Sequence, residues 1–367
     1  MKRIYLFLLL FLTCLLAAQG TCAAAQRSKL QGSHGDKDLL PRTCQACHPG
    51  MSFFNNGEET SCLKCHSSDG ERNRMSAGKY LRPGGVATLK DIAVELRKPY
   101  RHPVFDVRGA HRFGEILPEE VINATRHSEC VDCHDPHSTA QGRPFAGIQG
   151  RRVGNLITEI VNEYELCFKC HSTSANLPQS STNKAEEFRT TNPSFHPVLA
   201  EGKQAFVVSL KEPYAARKQR PNDITMITCS DCHGSDDKNG PKGPHGSKFR
   251  GLLKYNYQME DGRAESEYAY SLCYQCHDRT SILNNESFAF HSLHIQGNRA
   301  SGQAGTSCMT CHDAHGSSSS PYLIRFNEIV VRPNAEYKLE YEQIGVSARH
   351  GKCSLNCHGV EHKERAY

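Results

Sequence analysis

Eight consecutive residues, Cys130 to His137 ("CVDCHDPH"), hold two cysteines and two histidines. A cysteine pair closed by a histidine recurs eight times along the 367 residues. Seven copies are C-x-x-C-H: Cys44/Cys47/His48, Cys62/Cys65/His66, Cys130/Cys133/His134, Cys167/Cys170/His171, Cys229/Cys232/His233, Cys273/Cys276/His277 and Cys308/Cys311/His312. The eighth, Cys353/Cys357/His358 in "CSLNCH", carries one more residue between its cysteines. This is the spacing of c-type haem attachment. Two vinyl groups of a haem become thioethers to the two cysteines, and the adjacent histidine is aimed at the iron. In "CSLNCH" the extra residue reads as a bulge that leaves His358 in place as the iron ligand.

Zinc also takes cysteine and histidine, often from paired C-x-x-C knuckles. Adjacent Cys and His side chains close poorly on one tetrahedral ion, however, and chance does not place a histidine at the same offset eight times. A disulfide framework needs no histidine at a fixed offset.

The first 25 residues read as a secretory signal peptide: Lys2 and Arg3, an apolar run from Ile4 to Ala18, then Ala23-Ala24-Ala25 as the cleavage signal. The run is short for a membrane span, which takes about 20 apolar residues. Of eighteen cysteines, Cys14 and Cys22 fall in this leader and sixteen remain, the number that eight haems consume.

The chain is 38% hydrophobic and has no Trp. Haem, rather than aliphatic side chains, is expected to supply much of the buried apolar surface. After Ala25 the chain is nearly balanced in charge, and the propionates of eight haems would turn it net negative, to about −5 oxidised and about −13 reduced. The sequence pI near 8.4 is therefore no sign of nucleic-acid binding.

The elements that must position these motifs belong to a larger repeat. "YELCFKCHS" and "YSLCYQCHD" are near copies, and each follows a motif of the type "CVDCHDPHS", "CSDCHGS…GPHGS" or "CMTCHDAHGS". Four dihaem units result: residues 26–85, 86–185, 186–285 and 286–367, after the leader at 1–25. The fold class expected is a multihaem cytochrome c, mostly irregular, with short α-helices and few strands organised around a stacked haem chain. Leu156, Ile160, Tyr164 and Cys167 lie at helical spacing, Leu89 to Leu96 predicts another helix, Tyr322 to Val331 predicts a strand arm, and "GKYLRPGG" predicts a loop.

Twelve histidines stand outside the eight proximal positions, more than eight second iron ligands require. His102, His137, His196, His245 and His315 recur in matched contexts, so they are expected to be distal ligands, with His137 serving a haem other than its own motif's. His362, His291 or His294, and His34 complete the candidates. His111, His127 and His350 are expected to fall outside the set, and Met51 sits too near His48 to cap that haem.

The doubled units with "CHDPH" and "CHDAHGS" resemble the paired-motif multihaem c-type cytochromes of metal-reducing bacteria. Within that group, the haem count and length are similar to the octahaem periplasmic cytochrome of outer-membrane porin–cytochrome complexes. The resemblance implies an electron carrier in the periplasm, associated with the outer membrane through its partners, with eight covalent haem c groups. Its expected partners are periplasmic cytochromes as donors, a porin-like barrel and an outer-surface multihaem cytochrome. The alternatives are a reductase of small nitrogen or sulfur oxyanions, typically marked by a C-x-x-C-K motif that this chain lacks, and a subunit of a cytochrome filament.

Overall fold

The computed structural model describes residues 30–48, 58–106, 127–139, 145–150, 152–153, 156–157, 159–172, 177, 181–204, 206–215, 226–298, 300–345 and 349–367. The leader, Met51 and His111 lie outside them. Helices are short, with Asp69–Ala77 and Glu163–His171 at nine residues each the longest among those described. The second of these delivers Cys167, Cys170 and His171. The helical spacing predicted from Leu156 begins later than expected, because Leu156–Ile157 pairs with Arg152–Val153 as a small antiparallel ladder. The helix predicted over Leu89 to Leu96 is confined to Ile92–Glu95. "GKYLRPGG" is not all loop: Pro83 opens a helix, Pro83–Thr88, since its fixed φ suits the first helical position and its missing N–H is not needed there.

Most strands are two-residue pairs joining distant parts of the chain. β1 (Gln31–Gly32) pairs in parallel with β3 (Ser138–Thr139), while β2 (Tyr100–Arg101) and β7 (Gly246–Ser247) are antiparallel, as are β6 (Ser194–Phe195) and β8 (Gly316–Ser317). Each pair joins one of the expected segments, 26–85, 86–185, 186–285 and 286–367, to the next. β4 and β5 are the local ladder of Arg152–Val153 and Leu156–Ile157.

The C-terminal segment differs. β9 (Val331–Arg332), β10 (Glu340–Gln343), β11 (Gly351–Cys357) and β12 (Val360–Ala366) form a four-stranded antiparallel sheet with β11 at its centre. The strand arm expected from Tyr322 to Val331 is mostly turn, and only its last residue enters β9. "CSLNC" is not a bulged loop but the body of β11. His358 and Gly359 form the two-residue link to β12, both at positive φ (50° and 77°), as tight hairpin turns of the I′ kind require.

Buried apolar side chains are few, and they gather beside the cysteine motifs. Ala269, Tyr270, Tyr274 and Ile295 pack with Cys273 and Cys308, and Phe188, Phe195 and Val198 pack with Phe168 and Cys229. No helix among the described residues is long and apolar enough to cross a membrane.

Candidate haem-binding sites

A short helix or 3-10 turn builds most C-x-x-C-H motifs, and the histidine N–H closes it. His48, His66, His134, His233, His277 and His312 each donate to the carbonyl of the first cysteine of their motif, at 2.8–3.0 Å. That bond turns both thiols and the imidazole toward one side. The aspartate inside "CVDC" and "CSDC" holds the turn open at its start. Asp132 accepts from the Glu129 N–H, and Asp231 accepts from the Thr228 N–H, both at 2.7 Å, completing capping boxes.

All sixteen described cysteines line one connected cavity of 3030 Å³. That is several times the roughly 300–1,000 Å³ of a pocket for one small ligand. Its wall also carries eight histidine pairs. Ring centroids are 6.2 Å apart for His48 and His137, 6.1 Å for His66 and His34, 6.0 Å for His134 and His245, and 6.4 Å for His171 and His102. They are 6.3 Å apart for His233 and His315, 6.5 Å for His277 and His196, 6.4 Å for His312 and His291, and 6.4 Å for His294 and His362. Two imidazoles on opposite sides of one metal ion, with bonds of about 2.0 Å, put their centroids roughly 6.2 Å apart.

The second ring nitrogens point the same way. His34 Nδ1 bonds the Pro136 carbonyl at 2.8 Å, His102 Nδ1 the Pro244 carbonyl at 2.6 Å, and His196 Nδ1 the Ala314 carbonyl. His233 Nδ1 bonds the Gly251 carbonyl at 2.7 Å, His312 Nδ1 the Tyr322 carbonyl at 2.9 Å, and His294 Nδ1 the Phe290 carbonyl at 2.8 Å. A ring fixed through Nδ1 presents Nε2 as the free donor, which is how metal-bound histidines are usually oriented. Burial also favours the neutral form of several of the facing motif and partner rings, as a metal ligand requires. It drives His66, His171, His245 and His277 down to about 4, and His291 down to about 3. His315 is held above its ordinary value: burial pulls it down, but hydrogen bonds from its Nδ1 to Asp313 and Glu187 outweigh this.

The short strand pairs explain why the distal candidates come in twos. β2 and β7 set His102 beside His245, β6 and β8 set His196 beside His315, and β1 and β3 set His34 beside His137. Gly246 and Gly316 allow the close approach, since a Cβ there would lie 1.8 Å from the Glu95 carbonyl oxygen and 2.1 Å from that of Glu187. In the β1–β3 pair Ser138 occupies the equivalent place, and Gly32 on the opposing strand makes the approach instead, with Thr139 O 1.9 Å from a would-be Cβ.

Sequence reasoning missed the serines after these glycines. Ser247 and Ser317 are fully buried and donate to the Leu253 and Ile324 carbonyls, both at 2.6 Å. Those residues bridge to His233 and His312 respectively. The signal was the "HGS" shared by two motifs.

Consecutive motifs touch in chain order. Burial and then Cys62 raise the Cys47 thiol; burial pushes Cys133 up to about 11 with Cys170 nearby, and Cys232 up to about 12 with Cys276 as the next influence. The Cys167 thiol is raised chiefly by Cys229, and the Cys273 thiol is lowered chiefly by Cys308, so each pair lies close together. Cys311 is pushed up to about 12 by burial, then by Cys353 and Cys357. The helices Glu58–Leu63 and Cys130–Cys133 join the second motif to the third.

Three candidates are placed differently from the rest. His358 faces no second histidine among the described residues; its Nε2 lies 2.5 Å from the Asp261 carboxylate. His294 and His362, both expected as distal ligands, face each other. His127 lies 4.0 Å from Glu129, and His350 is exposed.

Residues 154–321 match the family described as outer membrane cytochrome MtrC/MtrF-like, domains II/IV. No curated protein and no solved structure matches the chain. The family match supports a multihaem electron-transfer cytochrome of the kind used in extracellular respiration. The residues fit the cofactor: thiols in pairs, facing imidazoles a metal's span apart, and an apolar cavity between them. Each attachment adds a thiol across a vinyl C=C, sulfur to one carbon and hydrogen to the other, so it needs no oxidant and expels no group.

Proposed function

We propose that this chain is an octahaem c-type cytochrome that passes electrons through the periplasm to a porin–cytochrome conduit in the outer membrane. The observation that carries the reading is the set of eight facing histidine pairs along one cavity lined by every described cysteine. When bound, each haem supplies a one-electron Fe(III)/Fe(II) couple, and two histidine ligands favour a low potential. The protein's part is to hold neighbouring attachment sites close together, in the order in which the motifs occur. Pairing within one chain also supplies two imidazoles per iron without a ligand from a second subunit, which favours a self-contained carrier over a filament. An oxyanion reductase needs an iron with one open position, and eight closed pairs leave none.

Reconstitution in proteoliposomes tests this. Omitting the protein from a vesicle that holds the barrel and an outer cytochrome should abolish reduction of external ferric citrate by internal dithionite. The purified protein alone should turn over nitrite no faster than a free haem peptide. Undiminished transmembrane transfer, or rapid nitrite turnover, would overturn the proposal.

The matched family, described as outer membrane cytochromes, favours a second reading, an outer-surface cytochrome. Protease treatment of intact cells separates the two, since a periplasmic chain survives it.

A further inference from the structure

Seven of the eight attachment motifs share a local plan, and the last does not. In those seven, the histidine next to the second cysteine faces a second imidazole across the cavity. His358 breaks the plan. It sits at the tip of the β11–β12 hairpin with positive φ, its N–H does not close a turn onto the Cys353 carbonyl, and its Nε2 is set against Asp261. Asp261 is itself fixed, for it accepts from Thr306, from the Ser307 N–H at 3.2 Å and from Thr310 at 3.3 Å, all beside the Cys308 motif.

The hairpin brings a different imidazole to the cysteines. Side chains of alternate strand residues share a face, so Cys353, Leu355 and Cys357 lie on one side of β11, and all three line the cavity while Lys352, Ser354 and Asn356 do not. The register sets His362 directly opposite Leu355, midway between the two cysteines. The slip in register near Ser354 falls beyond that pair and leaves it intact. Opposite residues in an antiparallel pair project to the same face, so His362 enters the cavity beside the two thiols. Across from it, 6.4 Å away between ring centroids, is His294, whose Nδ1 is tied to the Phe290 carbonyl.

We infer that the eighth haem, attached through Cys353 and Cys357, is ligated by His362 and His294, and that His358 is not an iron ligand. The site is then a C-x-x-x-C-x-x-x-x-H hairpin, in which strand register does the work that a helical turn does elsewhere. The inference rests on the haem reading above and fails separately from it.

The test is ligand replacement in the full haem-loaded chain, with haems counted by mass. His362→Met should keep eight haems and give one of them the far-red sulfur-to-iron charge-transfer band of a Met/His pair. His362→Ala should turn one haem in eight high-spin in the ferric state and let the reduced protein bind one CO. His358→Met should show no such band and bind no CO. The inference is overturned if the charge-transfer band appears in His358→Met, or if His362→Met keeps every haem with an unchanged spectrum. A wild-type mass with fewer than eight haems would instead overturn the octahaem reading, whatever the ligand variants show.

Discussion

Replacing Gly246 with alanine tests the strand pairs that hold the distal histidines. The new Cβ would lie 1.8 Å from the Glu95 carbonyl oxygen and 2.6 Å from its carbon, where ordinary contact begins at 3.4 Å. The obstacle is backbone, and the buried Glu95 is tied to Lys98 at 2.7 Å, so β7 must retreat by roughly 1.6 Å to restore contact distance. Metal–ligand bonds tolerate about 0.2 Å, so His245, the residue before Gly246, cannot keep its place opposite His134. The overpacking costs about 1–3 kcal/mol, and the ladder bond from the His102 N–H to the His245 carbonyl adds about 1 kcal/mol if it breaks. The expected result is one or two high-spin haems out of eight in the ferric absorption spectrum, at His134 and at His171 if His102 follows. CO binding to the reduced protein should match that number. Gly84→Ala is the control, since nothing lies within 4 Å of its Cβ position and it sits in an exposed helix. A Gly246→Ala protein that stays wholly low-spin and binds no CO would refute the reasoning, because the strand pair would then not be what holds the ligand.

Two further outcomes follow from the histidine geometry. The pairs His48/His137, His134/His245 and His233/His315 have ring planes within 15° of parallel, while the other five are inclined by 45–72°. Low-temperature EPR of the ferric protein should therefore resolve two low-spin classes in a ratio near three to five, the inclined class showing the larger g anisotropy; a single class would contradict the geometry. Glu187→Gln removes a carboxylate from His315 Nδ1 (3.2 Å), which weakens donation to the iron of the His233/His315 pair. One potential of the eight should rise by tens of millivolts, at about 59 mV per tenfold change in relative affinity for a one-electron couple, whereas an unchanged redox titration would remove Glu187 from this role.

The attachment motifs proposed for haem are legible because they are local. A cysteine pair and its histidine lie within one turn, so spacing alone picks them out. The matched contexts of His102, His137, His196, His245 and His315 are legible too, and the structure sets each of them opposite a motif histidine. Partner assignment is not legible, because His137 and His245 are set in place beside His34 and His102 by strand pairs only two residues long, which leave no periodicity to read. The end of the chain misled for a related reason. "CSLNCH" resembles its seven neighbours as a string, yet Gly359 after His358 permits a tight hairpin, whose register sets His362 opposite Leu355, between the two cysteines. The strand arm expected from Tyr322 failed because β-branched content reports a tendency that turn geometry at Tyr322 and Leu323, both at positive φ, overrides.

The strand pairs that cross between units also bear on how such a protein is made. A chain exported as proposed would emerge N-terminus first, and His48, His134 and His233 each face a partner 82 to 111 residues further along. On the proposed reading, each of these irons would be left with one protein ligand until the following unit had emerged and been loaded. Maturation would then run like a zip fastener, every new unit closing a centre in the one before it. Cutting the chain at a unit boundary would not yield a smaller version of the carrier, but a carrier with an unfinished iron at its trailing edge.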